Sequence, residues 1–114
     1  MKSFSPTVLI TLVITSQAFA GVDVSRGRAL FNDPMLSGSS FGVSCNSCHP
    51  KGRGLENAGA EGKKKWKSCS GEKSSLIEAI NTCIVTANKG TPINPESREM
   101  KYLVEYIKSL AEKH

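Results

Sequence analysis

Cys45-Asn46-Ser47-Cys48-His49 decides how the rest of this chain is read. C-x-x-C-H is the attachment pattern of a c-type haem: each thiol forms a thioether to one vinyl group, and the histidine that follows brings its imidazole under the iron as proximal ligand. Two other chemistries use closely spaced cysteines. A redox-active C-x-x-C pair normally follows a strand in a βαβ pattern, and no such pattern is visible. A zinc site needs a second C-x-x-C or a paired-histidine cluster, and the only other histidine is His114, the last residue. The reading adopted is one covalent haem c, with Cys45 and Cys48 as anchors and His49 as the proximal iron ligand.

The start of the chain points the same way independently. Lys2 supplies a positive charge, Val8 to Val13 is almost wholly apolar, and Ala18-Phe19-Ala20 has the small-x-small pattern of a cleavage site. Residues 1–20 read as a signal peptide that is cleaved, leaving 21–114 as a single domain. The apolar run is too short to span a bilayer, so no stable membrane span is expected. The mature chain would be periplasmic or otherwise exported, and covalent haem attachment also occurs outside the cytoplasm.

A domain this small has a marginal core of its own and gains from a staple or cofactor. Aromatic residues make up only 6% of the chain, and a buried haem would supply the missing apolar mass. Lys+Arg number 15 against Asp+Glu 10. This moderate excess favours a partner with an acidic surface. It is too weak for nucleic-acid binding, and no recognition motif accompanies it.

Helix signals frame the motif on both sides. Asp23 or Ser25 can cap a short helix running to about Asn32, with Gly27 and Phe31 four apart on one face. Asp33-Pro34 stops it, because proline disfavours helix at the residue before it. Ser37-Gly38-Ser39-Ser40 is a loop leading into the motif, and residues 50–73, rich in Gly and Lys without periodicity, read as irregular wrapping. Ser75-Leu76-Ile77-Glu78 is a capping box. It opens a second helix with Leu76, Ile77, Ile80, Ile84 and Val85 as its apolar residues, closed by Asn88-Lys89-Gly90. Asn94 can cap a third helix with Pro95 at its first position. Met100, Leu103, Val104, Ile107, Leu110 and Ala111 form one apolar stripe along it. No segment reads as a strand. The expected fold is all-α, about three helices wrapped round one covalently bound haem.

This order of elements resembles class I cytochrome c over the whole mature chain. Gly27 and Phe31 look like the paired small and aromatic residues of that family's first helix, and Leu103 and Tyr106 like their partners in its terminal helix. The resemblance implies that the two helices cross closely at the glycine. A narrower resemblance lies in Ala79-Ile80-Asn81-Thr82-Cys83, Asn88-Lys89-Gly90, Ser97-Arg98-Glu99-Met100 and Tyr106-Ile107. These are similar to a haem domain of sulfur-oxidising cytochromes, the group of the thiosulfate dehydrogenases and the thiosulfate-oxidising complex subunits. In those domains the cysteine matching Cys83 can be the distal iron ligand. This chain departs from them in having an additional Cys69 and a single haem motif.

The distal ligand is left open by the residues. Typical carriers place a methionine in the loop before the terminal helix, but Gly90 to Pro95 contains none. Met100 is a candidate that plain core packing would explain equally, Met35 lies on the wrong side of the motif, and His114 is terminal. Cys83 is the other candidate, and a thiolate there would lower the iron potential. Against it stands a disulfide with Cys69, the reading we favour, because these are the two cysteines left over in an oxidising compartment. With the disulfide formed, Met100, an asparagine or a lysine would bind the iron, or it would be five-coordinate. Lys63-Lys64-Lys65-Trp66-Lys67, with Lys51 and Arg53, reads either as a solvated loop whose Trp66 turns inward or as a docking patch for an acidic partner.

The function expected is single-electron transfer between a redox-protein donor and acceptor, with no catalytic residue of the chain's own. The alternative is a haem subunit or enzyme of thiosulfate oxidation, or a small-ligand-binding haem protein with an open distal site.

Overall fold

The structure, a computed structural model, describes residues 21–111. The expected signal peptide, residues 1–20, and His114 lie outside them. The described chain is mostly helical, as expected. Helix α1 covers residues 21–31. A 3-10 turn, Leu36–Gly38, leads towards α2, Cys45–Cys48, and a second such turn, Pro50–Gly52, follows it. A small hairpin of β1 (Trp66–Ser68) and β2 (Gly71–Lys73) precedes α3 (Leu76–Thr86), and α4 (Arg98–Leu110) completes the fold.

The crossing of α1 on α4 organises the core. Gly27 is buried against α4. A Cβ there would fall on the Tyr102 carbonyl and lie 2.7 Å from Tyr106 Cβ, so no side chain fits. One turn on, the Phe31 and Tyr106 rings meet at 5.1 Å between centroids and 57° between planes, a tilted geometry that aromatic pairs favour. Around this contact Leu36, Ile80, Ile84, Ile93, Met100, Leu103, Ile107 and Leu110 form one apolar cluster. The stripe expected on α4 therefore faces the core, with Tyr106 added to it. Ala111 and, on α3, Val85 stay exposed.

Several local expectations are corrected. Asp23 and Ser25 do not cap α1, which is already helical at residue 21; Asp23 instead pairs with Lys101 of α4 at 3.7 Å. The segment read as irregular contains two antiparallel strands, with Trp66 opposite Lys73 and Ser68 opposite Gly71. Each strand has three residues, too few to show a period. The hairpin is closed by its turn: Ser68 Oγ donates to the Gly71 carbonyl at 2.6 Å and accepts from Ser70 N–H at 3.1 Å. Gly71 takes φ +84, a left-handed geometry suited to glycine in such hairpins.

Helix α4 starts three residues later than expected. Asn94 Oδ1 accepts from Glu96 N–H at 2.9 Å in a turn of its own. The true cap is Ser97, whose hydroxyl accepts from Met100 N–H at 3.2 Å. Helix α3 is capped by Ser75 as read, through a bond from Glu78 N–H at 3.1 Å. The Glu78 carboxylate is held by the hydroxyls of Ser74 at 2.8 Å and Ser75 at 3.3 Å. At its far end the left-handed residue is Lys89, φ 60, while Gly90 is needed for space, since a Cβ there would come within 2.9 Å of the Ser37 carbonyl.

Gly27→Val should lower stability by about 1–3 kcal/mol, the usual range for overpacking, read from denaturant unfolding of the full chain. Hydrogen bonding from Ser74, and then Ser75, holds the Glu78 carboxyl below its ordinary value of 4.5. A depressed folded value contributes stability above the unfolded value and loses it as pH falls through the folded one. Glu78→Gln should thus be less stable than wild type above about pH 4.5, with the gap closing in more acid solution, as thermal melts across pH would show.

Candidate haem site

The C-x-x-C segment is helical because Ser44 and Ser47 cap it reciprocally. Ser44 Oγ accepts from Ser47 N–H at 3.2 Å, and Ser47 Oγ accepts from Ser44 N–H at 3.0 Å. One turn of helix then sets Cys45 and Cys48 three apart on the same side. Both thiols are free. Cys45 packs half-buried against the apolar cluster, and Cys48 is exposed. Burial, with a smaller contribution from the neighbouring Cys48, pushes the Cys45 thiol up to about 11. Cys45 is therefore a neutral thiol at neutral pH.

His49 closes the helix and is oriented by the turn beyond it. Its Nδ1 lies 3.0 Å from the Arg53 carbonyl oxygen. A carbonyl has no proton to give, so Nδ1 carries the hydrogen and Nε2 keeps its lone pair. Gly52 N–H donates to the His49 carbonyl at 2.8 Å, and Arg53 N–H to that of Pro50 at 3.0 Å. These bonds reverse the chain and bring Arg53 back over the ring.

The approach to the motif is clamped from the far end of α3. The buried Asn88 accepts from Ser40 N–H at 3.2 Å and Phe41 N–H at 3.4 Å through its carbonyl. Its side-chain amide donates to the Val43 carbonyl at 3.3 Å. Asn81 of α3 secures the next loop, receiving Ile93 N–H at 2.8 Å and giving its amide to the Ile93 carbonyl at 2.9 Å. Both asparagines fall in the stretches that carry the family resemblance, but these roles were not legible there, because the side-chain bonds reach 12 and 45 residues away.

Cys69 and Cys83 are joined as a disulfide, with Cα atoms 5.0 Å apart, tying the hairpin turn to α3. A sulfur so engaged offers no thiolate, which removes Cys83 from the distal-ligand candidates while the bridge is intact. Met100 is fully buried in the apolar cluster, and Met35 is 73% exposed. Trp66 is half-buried and gives its indole N–H to the Ala58 carbonyl at 2.7 Å. Lys63 lies 5.7 Å over its ring, and Lys63, Lys64, Lys65 and Lys67 are exposed. Trp66, Ala58, Leu76, Ile77 and Val104 line an open, mainly apolar groove of about 340 Å³.

This donor set fits a covalently held haem c. Two unbridged thiols sit one turn apart, Cys45 packs against the apolar cluster, and the adjacent imidazole presents a free Nε2. Fold and site together define a cytochrome c domain. Residues 26–114 match the model of the SoxA/TsdA cytochrome c domain, and the chain belongs to that family, related to thiosulfate-oxidising cytochromes. Comparison with curated proteins and with solved structures finds no match. A domain of this kind implies a covalently bound haem c and redox partners. No helix among the described residues is long and apolar enough to cross a membrane.

The disulfide closes a sequence separation of 14 residues, a loop for which chain-entropy reasoning gives about 3 kcal/mol. The double variant Cys69→Ser with Cys83→Ser should lose about that much in denaturant titration. Wild type unfolded without reductant should show no thiol reactivity from either residue.

Proposed function

We propose that this chain is an exported, monohaem c-type cytochrome carrying single electrons between redox proteins in the oxidation of sulfur compounds such as thiosulfate. The observation that carries the reading is the His49 Nδ1 bond to the Arg53 carbonyl beside two free, helix-spaced thiols. When bound, the haem supplies an iron that alternates between Fe(III) and Fe(II).

The chain's own residues do the rest. Cys45 and Cys48 hold the cofactor covalently, and His49 Nε2 ligates the iron. The Arg53 carbonyl fixes the ring and raises its basicity. The packed cluster around Phe31, Met100 and Leu103 excludes water and resists rearrangement, which keeps the cost of electron transfer low. The exposed lysines of the Lys63–Lys67 run, with Lys51 and Arg53, supply positive surface charge that attracts an acidic donor or acceptor. Family membership supports the link to sulfur oxidation, and the leader-like residues 1–20 support export.

A second reading is a haem site that binds a small molecule at an open distal position. It is favoured by the Cys69–Cys83 disulfide, which occupies the sulfur that related domains can use as distal ligand. The optical spectrum of purified holoprotein separates the two. A carrier should show low-spin bands that carbon monoxide leaves unchanged. High-spin ferric bands, or carbon monoxide uptake on reduction, would contradict the carrier and establish the second reading. Replacing Lys63, Lys64 and Lys65 by Glu should slow electron exchange with an acidic redox protein by about tenfold or more at low salt, with the difference vanishing as salt rises.

A further inference from the structure

We propose that Asn46, the first variable residue of the C-x-x-C-H motif, is a positioning residue for the proximal imidazole: its side chain holds the turn that brings the Arg53 carbonyl to His49. The inference rests on the haem reading above and concerns a residue that the motif itself leaves free.

Asn46 lies in α2 between the two thiols, half-buried. Its Oδ1 accepts from Lys51 N–H at 2.8 Å. Lys51 is the centre of the Pro50–Gly52 turn and has φ 55, ψ 28. This is the left-handed region, where a side chain at Cβ is crowded and residues other than glycine are uncommon. A lysine stays there only if its surroundings over-determine it. Three bonds do so in sequence. Gly52 N–H goes to the His49 carbonyl at 2.8 Å, Arg53 N–H to the Pro50 carbonyl at 3.0 Å, and Lys51 N–H to Asn46. The first two are internal to the turn. His49 N–H already ties the start of the turn to the Cys45 carbonyl at 2.9 Å, and the Asn46 bond fastens its strained centre, Lys51, to the helix bearing the thiols.

The consequence is mechanical. The Arg53 carbonyl sits two residues beyond Lys51 and 3.0 Å from His49 Nδ1. Without the Asn46 acceptor, Lys51 loses the bond that opposes its backbone strain, and the turn relaxes towards ordinary φ. The Arg53 carbonyl then moves off Nδ1. An imidazole whose Nδ1–H is bonded to a carbonyl is more basic at Nε2 and favours the ferric state. Losing that bond favours the ferrous state. Through Asn46 the thioether anchors and the ring orientation become one rigid unit, so that attaching the cofactor also sets the proximal ligand.

The test uses full-length holoprotein, as wild type, Asn46→Leu, Lys51→Gly and the double variant. Midpoint potential is read by spectroelectrochemistry, and exchange of the His49 Nδ1 proton by NMR. Asn46→Leu should shift the ferric–ferrous equilibrium about tenfold towards ferrous, within the range seen when outer-shell partners of metal ligands are removed. For one electron that is a rise of about 59 mV. Nδ1–H exchange should quicken about tenfold in parallel. Adding Lys51→Gly should abolish both effects relative to the Lys51→Gly single variant, because glycine takes the left-handed geometry without strain. Asn46→Asp, which keeps an acceptor oxygen, should exchange its Nδ1 proton as wild type does. Should Asn46→Leu take up no haem, Asn46→Ser with and without Lys51→Gly gives the same comparison. Equal shifts in both backgrounds, or no shift in either, would overturn the proposal. A wild-type chain without covalent haem would instead remove the cofactor reading itself, and is seen before any variant is made.

Discussion

The bond between His49 Nδ1 and the Arg53 carbonyl is the constraint on which the site turns. It assigns the ring hydrogen and leaves Nε2 as a lone pair facing away from the backbone. It also requires the chain to reverse within four residues of the motif. That reversal explains features that otherwise look unrelated: Pro50 at the start of a 3-10 turn, a lysine at positive φ, and glycines at 52 and 54. Gly54, the residue after Arg53, takes φ +92, a geometry that suits glycine. Its Cα lies beside the ring, where a Cβ would be 3.4 Å from Nδ1, an ordinary contact.

Beyond the site, a short chain with few aromatics is held together by devices that do not depend on a large core. Close approach of α1 and α4 at Gly27 concentrates the apolar contact into one crossing. Asn88 and Asn81 pin the two loops that flank the motif side of α3, and Ser37 and Thr91 add a further tie between them. The disulfide fastens the hairpin turn to the middle of α3. Each links segments distant in sequence. Together they reduce the freedom of loops that would otherwise have to be ordered by the cofactor alone, at a backbone cost of about 1–2 kcal/mol per residue.

What could be read in the sequence was local. The C-x-x-C-H spacing, the Ser75 cap and the apolar stripe of α4 each lie within a single helix and its cap; Ser75 caps α3 as read, and the stripe faces the core except at Ala111. The Gly27–Tyr106 crossing was legible through the family resemblance, since nothing near Gly27 shows what lies across from it. The hairpin was missed because three-residue strands carry no period and their closure depends on one glycine and the bonds of the Ser68 hydroxyl. The start of α4 was misplaced because Asn94 and Ser97 both have cap chemistry. Asn94 spends its side chain on Glu96, which leaves Ser97 as the cap. The roles of Asn46, Asn81 and Asn88 rest on partners 5, 12 and 45 residues away, at spacings no motif records.

The central claim is a haem bonded through two sulfurs to this helix, above an imidazole held by Arg53. The most direct measurement is the intact mass of the protein exported from a host with cytochrome-maturation machinery, followed by peptide mapping. The account requires a chain beginning at Gly21 and carrying the mass of one haem, with that mass retained on the peptide containing Cys45 and Cys48 after acid extraction. A mass equal to the bare processed chain, or a haem that acid extraction removes, would contradict it.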